Sequence, residues 1–370
     1  MKIDIYEKFN PELKSIWIEF EKNAEMTPFQ SYSWLNHWQK TIGAPLNKTH
    51  LQIVILKEED SIIAILPLCI YNSKSIKVLN WLGGVQSDYK VPLLHENWKK
   101  YEIDFKVIWV EVCKKLKPFD VIHLENQTEK IGELINPFVL AFNVVQSTTS
   151  AHANLSGDWI TYYNKRIKKK MRADSRRSIR KLSKIGKFEF LIGKSMNDFN
   201  LIISQMIIQK SQRYLHTGLR DILAISEYKK FYKKLPQLDY NSEMSLHCSA
   251  VVVNEEIIAT HVGLVQRECF YYLMPAYESE TWGKFSPGRL LLEKLIEWSF
   301  SSNILKFDFT VGAEGYKEKW CDEEEKIYEH IRAVNIKGYL FLILNKIKRK
   351  ILSSSIGTIY LRKLRIRFMK

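Results

Sequence analysis

The residues with the clearest chemical potential lie in the last third of this chain, in the tetrad Ser286-Pro287-Gly288-Arg289. An apolar, strand-like run at 270–274 precedes the tetrad, and a leucine-rich helical pattern follows it. A strand, a turn and then a helix leave backbone N–H groups free at the helix start, where they favour a phosphate or pyrophosphate. Pro287 suits a first helical turn, and Gly288 lets a ligand approach the backbone. We therefore predict that Ser286, Pro287, Gly288 and Arg289 bind the anionic part of a cofactor.

Three further polar residues follow the predicted helix. Asp308, between two phenylalanines on a strand, is interpreted as a general base or as part of a structural ion pair with Lys317. Lys317 is a candidate for stabilising an oxyanion or binding phosphate, and Tyr316 for protonating a leaving group. His261, on an earlier strand, is either a base or a core histidine. Because ligands gather at the carboxyl ends of strands in open sheets, we expect Asp308, Tyr316 and Lys317 to line one cleft near Ser286.

The first half of the chain offers candidates for contacting a second substrate. Asp88 and Tyr89 follow a glycine pair, which places both at the end of a predicted strand. They are interpreted as acceptor contacts or as a plain turn in which the aspartate bonds to nearby backbone. Gln30 and Trp34 lie in a predicted helix and are interpreted as core and wall residues, with Trp34 also suited to stacking on a sugar.

Apolar periodicity predicts the elements that position these residues. In the first half we expect helices over 12–42 and 101–116, and strands at 51–56, 62–70, 78–82 and 121–124. In the second half we expect helices over 165–184, 198–212, 226–235 and 289–300, and strands at 188–192, 245–253, 257–266, 269–274, 306–309 and 327–334. The two halves are therefore predicted to be similar mixed units of strands and helices in tandem.

These residues also carry a family resemblance. The matching words, in order, are Pro28-Phe29-Gln30-Ser31…Trp34-Leu35…Trp38, Ala64-Ile65-Leu66-Pro67-Leu68, Leu82-Gly83-Gly84…Ser87-Asp88-Tyr89, Ile258-Ala259…Gly263-Leu264, Phe285-Ser286-Pro287-Gly288-Arg289-Leu290-Leu291-Leu292 and Phe307-Asp308-Phe309…Gly312…Tyr316-Lys317…Trp320. Together they resemble the GNAT-type acyltransferases of the CelD/BcsL cellulose-biosynthesis group, which are relatives of the FemAB peptidoglycan aminoacyltransferases. The resemblance spans about residues 20 to 335.

The resemblance implies a mixed α/β (α+β) fold with two tandem GNAT-like domains, each a mostly antiparallel sheet flanked by helices. We place the acceptor-side domain at 1–150, the catalytic domain at 151–335 and a basic tail at 336–370. The implied reaction moves an acyl group from acyl-CoA to an amine or hydroxyl of a sugar nucleotide or lipid-linked glycan. Two alternatives stay open: an aminoacyl-tRNA-dependent transferase acting on a cell-wall precursor, and a non-enzymatic nucleic-acid or membrane binder.

Positive charge is concentrated in two segments. Their combined excess of basic over acidic residues is larger than the net charge of +15 of the whole chain. Residues 165–184 contain eleven Lys/Arg and one acid, and residues 336–370 contain ten Lys/Arg and no acid. The first segment is interpreted as a solvated helix face or as a clamp for an anionic acceptor such as tRNA. The second interleaves apolar and basic residues, which favours contact with an anionic membrane over a packed tail helix.

Bulk composition narrows the remaining possibilities. Five cysteines are scattered singly and nine histidines lack metal-ligand spacing, so we predict reduced thiols and no metal site. The sequence has no apolar run of transmembrane length and no apolar signal region near Met1. We therefore expect a cytoplasmic protein, peripheral at the inner face of the membrane if the tail binds there.

Overall fold

A computed structural model describes residues 1–73, 75–101, 104–312 and 315–353. The second part of the predicted basic tail, residues 354–370, lies outside the described residues. The strands, in chain order, are β1 (Lys2–Tyr6), β2 (Ala24–Glu25), β3 (His50–Glu58), β4 (Ser61–Ser73), β5 (Ile76–Trp81), β6 (Leu93–His95), β7 (Val121–Thr128), β8 (Lys130–Ile131), β9 (Leu134–Ile135), β10 (Val145–Asn154), β11 (Phe188–Ile192), β12 (Met244–Val253), β13 (Glu256–Gln266), β14 (Cys269–Tyr277), β15 (Lys306–Val311) and β16 (Glu323–Ala333).

Helices flank the sheet that most of these strands form. They are α1 (Pro11–Glu21), α2 (Tyr32–Trp38), α3 (Phe105–Lys115), α4 (Pro137–Ala141), α5 (Trp159–Arg166), α6 (Lys169–Ile185), α7 (Met196–Thr217), α8 (Ser226–Lys234), α9 (Pro287–Ser301) and α10 (Ile336–Ser353). The predicted fold class is confirmed, because a large, mostly antiparallel sheet is packed between helices.

One sheet runs through both halves of the chain, in the order β1-β3-β4-β5-β7-β16-β10-β15-β14-β13-β12-β11, with β2 and β6 attached beside β4. Each half contributes three consecutive antiparallel strands, then a helix, then a strand parallel to the third: β5 with β7, and β14 with β15. The last strands are exchanged. β16 pairs with β7 of the first half, and β10 pairs with β15 of the second. The β10–β16 ladder then joins the halves into one sheet.

The predicted helix over 12–42 is wrong, because the structure divides it into α1, a short strand, a 3-10 turn and α2. Pro28 begins that turn, where Thr27 and Gln30 form a reciprocal capping box. The side chain of Ser31 then accepts the N–H of Trp34 and starts a new helix. These local caps outweigh the apolar spacing that suggested one continuous helix.

The predicted helix over 165–184 is also interrupted, between α5 and α6. Ile167 has extended backbone (φ −99°, ψ 123°) and is 2% exposed within the apolar cluster beneath α9. Because this side chain is buried, the chain leaves the helical conformation at Ile167, and α6 begins two residues later at Lys169. The predicted strands are all present. They include the hairpin in which Asn254 and Glu255 join β12 to β13.

Apolar side chains fill both faces of the sheet. Trp17, Trp34 and Trp38 pack with α7 and α8 on one face, and Phe270, Phe307 and Phe309 pack beneath α9 on the other. No helix within the described residues combines the length and the apolar composition that crossing a bilayer requires.

Candidate active site

A cavity of about 390 Å³ lies beside the predicted anion-binding turn, at the start of α9. Its lining comes from α6, α7, β14, α9 and the segment after β15: Met171, Arg213, Tyr272, Pro275, Tyr277, Gly283, Ser286, Gly288, Arg289, Leu292, Tyr316, Lys319 and Trp320. We call it the α9 cavity. The structure therefore brings Ser286, Gly288 and Arg289 together with Tyr316, while Pro287 begins the helix behind them.

Local hydrogen bonds limit which amides the start of α9 can offer. Ser286 adopts the left-handed conformation (φ 55°), and its carbonyl accepts the N–H groups of Arg289 and Leu290 at 3.0 and 3.2 Å. Pro287 has no N–H. Within the described residues, the Gly288 N–H is thus the one amide of the first turn for which the structure gives no acceptor. The turn offers fewer donors to an anion than the sequence pattern suggested.

A contact within the protein requires glycine at position 288, in addition to the room that a ligand would need there. A Cβ atom at this position would lie 2.9 Å from Cδ1 of Tyr277 and 3.3 Å from its Cε1. The ring of Tyr277 therefore packs directly on the helix backbone at the mouth of the cavity. The Arg213 guanidinium lies 5.6 Å from the centre of the same ring, within the range of a cation–π contact.

The charge of the α9 cavity has one sign. Its lining includes three cations, Arg213, Arg289 and Lys319, and no carboxylate among the described lining residues. Nε of Arg289 is shielded from solvent and has no hydrogen-bond acceptor among the described residues. A buried guanidinium N–H without an acceptor is costly, so an anionic ligand that accepted it would be stabilised. The cavity therefore favours a phosphate-bearing ligand.

The sheet itself opens next to this cavity. β14 and β15 pair only from Cys269↔Lys306 to Tyr271↔Asp308, although both strands continue further. A β-bulge lies at the same level, since Tyr272 and Leu273 together face the single residue Gly263. A side chain at 263 would collide with the carbonyl oxygen of Tyr271, which explains the glycine. The gap leaves the β15-facing edge of β14 able to contact a ligand.

Asp308 lies at the point where the two strands separate. It is 4% exposed, and its Oδ1 accepts the Tyr89 hydroxyl at 2.8 Å and the Thr310 N–H at 2.7 Å. Burial raises the pKa of Asp308, while the ammonium of Lys306 and the hydrogen bond from Tyr89 act to lower it. The carboxyl group thus ties a residue of the first half to the end of β15.

Thr310 is held in a strained conformation at this junction. It has φ 59°, which is uncommon for a β-branched residue and costs about 1–3 kcal/mol. Asp308 accepts its N–H, and the Lys317 ammonium lies 3.4 Å from its carbonyl oxygen. Lys317 also donates to the carbonyl of Gly312 at 3.1 Å and is 4% exposed. These contacts hold the chain where β15 turns away from β14.

Asp88 lies on the other side of β14, in a smaller cavity of about 50 Å³ that it lines with Trp34, Gln86 and Tyr232. Burial raises the pKa of Asp88 to about 6, against the lowering effects of the Thr310 hydroxyl and the Lys317 ammonium. Asp88 is only half-buried, so a ligand can reach it. A carboxylate of this kind is mostly ionised at neutral pH and still able to accept a proton.

The single predicted cleft for Asp308, Tyr316 and Lys317 is divided in the structure. Tyr316 lines the α9 cavity, whereas Lys317 lines a separate hollow of about 240 Å³ beside Gly312. Asp308 lines neither of them. Alternation along β15 causes the division, because Phe307 and Phe309 point toward α9 and Asp308 points to the opposite face.

His261 lies apart from Asp308, on the α9 face of the sheet. It is fully buried, and its ring stacks on Tyr272 at 4.6 Å with an interplanar angle of 5°. Burial lowers the pKa of His261 well below its ordinary value, so the ring is neutral. Neither ring nitrogen has a hydrogen-bond partner among the described residues.

The remaining acceptor-side residues form a connected buried group. Gln30 donates to the Tyr89 carbonyl at 2.8 Å, and the indole N–H of Trp34 donates to Ser87 at 3.1 Å. These bonds fix the segment that contains Asp88 against α2. Trp34 also lines the small cavity, whereas Gln30 is 2% exposed and acts on Tyr89.

Comparison with known proteins identifies one matching family model and several structures of similar fold. Residues 169–318 match the family model described as an acetyltransferase (GNAT) domain. Residues 169–318 are therefore similar to GNAT-type acetyltransferase domains. The matched span runs from α6 to the turn after β15, so it includes most of the α9 cavity and the gap between β14 and β15.

Solved structures resemble the whole fold at low sequence identity. FemX superposes with a TM-score of 0.55 and 10% identity, covering 90% of this chain and 98% of its own. L-PGS from Bacillus licheniformis gives a TM-score of 0.52 and 12% identity, with 93% and 98% covered. A conserved protein of unknown function from Bacteroides thetaiotaomicron gives 0.53 and 10%, with 89% and 99% covered. No curated protein matches the chain by sequence.

Sequence reasoning missed several residues of the site. Arg213 ends a long amphipathic helix and reads as an ordinary exposed cation, and Tyr272 and Tyr277 read as strand residues. Thr310 gave no signal, because threonine is common in strands. Lys319 could have been predicted from the sequence, because it stands two positions after Lys317 in the same basic turn.

Proposed function

We propose that this protein transfers an acyl group from acyl-CoA to an amine or hydroxyl of a sugar nucleotide or lipid-linked glycan precursor. The observation that carries the proposal is the α9 cavity. It combines three cations, a guanidinium N–H that has no acceptor among the described residues, and an adjacent gap between parallel strands. The phosphates of coenzyme A suit the cations, and its extended thiol arm suits the gap.

The acceptor enters from the side of Asp88. β14 separates the two cavities, since Tyr272 and Pro275 line the larger one and Leu273 and Met274 line the smaller. An acyl group that reaches through the gap then meets a nucleophile held near Asp88. Resemblance to the CelD/BcsL group supports a glycan precursor as that nucleophile.

The reaction needs one proton accepted and one supplied. The amine or hydroxyl of the acceptor attacks the thioester carbonyl carbon, and Asp88 takes the proton that the nucleophile loses. The carbon–sulfur bond breaks, and the departing thiolate takes a proton from Tyr316, which lines the α9 cavity. Asp308 and Lys317 position this site by fixing Tyr89 and the end of β15.

A direct assay tests the proposal. The protein is incubated with a panel of acyl-CoA donors and amino-sugar nucleotides, and products are detected by intact mass. We expect a product whose mass increases by one acyl group, together with free coenzyme A. Arg289→Gln should raise the donor KM, and Asp88→Asn should lower kcat. Absence of transfer from every CoA donor, with unchanged stability of the protein on adding coenzyme A, would reject acyl-CoA as the donor.

A second candidate function, aminoacyl transfer from aminoacyl-tRNA, is favoured by one observation. α6 borders the α9 cavity through Met171 and exposes a row of cations: Lys169, Lys170, Arg176, Arg180, Lys181 and Lys184. Within the described residues, none of these six has a carboxylate within ion-pair distance. Such a row suits a phosphate backbone longer than that of coenzyme A.

Competition distinguishes the two donors. If aminoacyl-tRNA is the donor, charged tRNA should displace coenzyme A from the α9 cavity, and its affinity should fall steeply with salt and with Lys→Gln changes on α6. If acyl-CoA is the donor, changes on α6 should leave KM nearly unaltered. A binder without activity would retain its nucleic-acid or membrane affinity in Asp88→Asn and yield no product with either donor.

A further inference from the structure

Helix α10 is apolar on the side that faces away from the protein. Its inner side packs on the end of the sheet, where Gly338 is buried and Phe341, Leu342 and Asn345 are half-buried. Six apolar residues on the rest of the helix are exposed by 39–79%: Ile336, Tyr339, Leu340, Ile343, Leu344 and Ile347. Their spacing of three and four residues places them in one stripe, which we call the α10 stripe.

The start of α10 is fixed firmly to the sheet. The Asn335 side-chain oxygen accepts the Gly338 N–H at 3.0 Å, and its NH2 group donates to Asp120 at 2.7 Å. A Cβ atom at 338 would collide with the carbonyl oxygen of Asp120, so glycine is needed for this close approach. The helix is therefore held against the body in one orientation, and the α10 stripe faces outward because of it.

We propose that the α10 stripe binds the surface of an anionic lipid bilayer. The helix lies along the interface and inserts its apolar side chains, as amphipathic helices with basic flanks do. Lys337 and Lys346 are exposed beside the stripe, and residues 336–370 contain ten Lys/Arg and no acid. Positive charge of this density is attracted to anionic head groups.

Charge distinguishes this occupant from a second copy of the chain. A symmetric dimer through the α10 stripe would bring the cations of two copies together without any acid in 336–370 to offset them. The stripe covers twelve residues of helix, about 17 Å in length at the usual rise per residue. A flat interface accommodates such a straight, exposed stripe over its whole length.

Vesicle flotation tests the proposal with the full chain. Phosphatidylcholine vesicles are compared with and without phosphatidylglycerol, using the double variant Leu340→Gln/Leu344→Gln. The matched control is Val107→Gln/Val110→Gln, which changes two exposed apolar residues on α3 instead. We expect binding to the anionic vesicles, about tenfold weaker binding for the α10 variant and unchanged binding for the α3 variant. Binding should also decrease as salt rises.

A second readout reports which side of the helix inserts. Tyr339→Trp, on the stripe, should add fluorescence that brominated lipid quenches, whereas Phe341→Trp, on the inner side, should not. Equal binding of the α10 variant and the unsubstituted protein would overturn the proposal. So would equal binding to neutral and anionic vesicles. Dimerisation without lipid that the α10 variant abolishes, combined with no vesicle binding, would instead identify a second copy as the occupant.

Discussion

The two halves of the sheet are built alike around their parallel strand pairs, yet one gap is filled and the other is open. In the first half, pairing of β5 with β7 ends at Leu79↔Ile122. In the second half, pairing of β14 with β15 ends at Tyr271↔Asp308. Beyond each end, the second strand contains one non-glycine residue at positive φ.

The difference lies in what occupies the gap. In the first half the chain itself fills it: the Lys90 N–H donates to the Asn126 carbonyl at 2.9 Å, and its ammonium bonds to Glu125 at 2.5 Å. In the second half the gap adjoins the α9 cavity. The comparison teaches that contacts within the chain fill the gap in one half, whereas the other half leaves a cavity beside it, although Tyr89 and Asp88 of the first half still reach the second.

The largest effect is expected from Asp88→Asn. This variant tests whether the first half of the chain supplies a proton acceptor for the reaction at the second half. The transfer rate should fall about 100-fold or more, because an amide cannot accept the proton. Donor affinity should stay unchanged. With Asp88 present, kcat/KM should rise with pH through about 6 as its carboxyl group ionises. Full activity in the variant would show that the first half supplies no proton acceptor.

Glu125→Gln should destabilise the contacts that fill the gap between β5 and β7 and should leave the gap between β14 and β15 unchanged. Lys90 is 2% exposed, so removing its partner leaves a buried charge, and we expect a loss of about 2 kcal/mol in unfolding free energy after allowing for the partial exposure of Glu125. Urea denaturation measures it, with donor affinity as the control. Lys90 holds the pKa of Glu125 below its ordinary value despite burial. The pair therefore stabilises above the unfolded pKa and is lost as pH falls through the folded pKa.

Arg289→Gln should do the reverse, reducing ligand binding without loss of stability. Donor affinity should fall about tenfold, or about 1.4 kcal/mol, because the cavity loses the guanidinium whose Nε is shielded from solvent. Lys284→Gln is the matched control, since Lys284 stands close in sequence yet does not line the cavity. Calorimetry that finds equal losses in both variants would show that general charge, rather than Arg289, attracts the donor.

Exchanging the two residues at positive φ should give the smallest effect. Thr310→Asn places the first half's residue in the second half, and Asn126→Thr does the opposite. Asparagine tolerates this conformation better than threonine, so Thr310→Asn should stabilise and Asn126→Thr destabilise, each by about 1 kcal/mol. Thr310→Asn should also lower activity several-fold, because Asp88 loses the Thr310 hydroxyl. Thermal unfolding and the mass assay measure the two effects.

Local patterns predicted most of the elements around the site. The strands β11 to β14 and the helix that begins at Pro287 follow from apolar runs bounded by turn residues. The predicted helix over 12–42 was wrong because side-chain caps at Thr27 and Ser31 are stronger than apolar spacing. The interruption at Ile167 could not be predicted, since it depends on a pocket that other elements form.

The sequence by itself determined which residues start α9, which strands precede it and where positive charge accumulates, because these properties depend on neighbours along the chain. Only the tertiary structure decided that Tyr316 and Lys317 line different cavities, that Asp308 bonds Tyr89, and that the exchange of β10 and β16 joins the halves. Those outcomes depend on strand register and on which face of the sheet a side chain occupies. Contacts between residues more than 150 positions apart fix both.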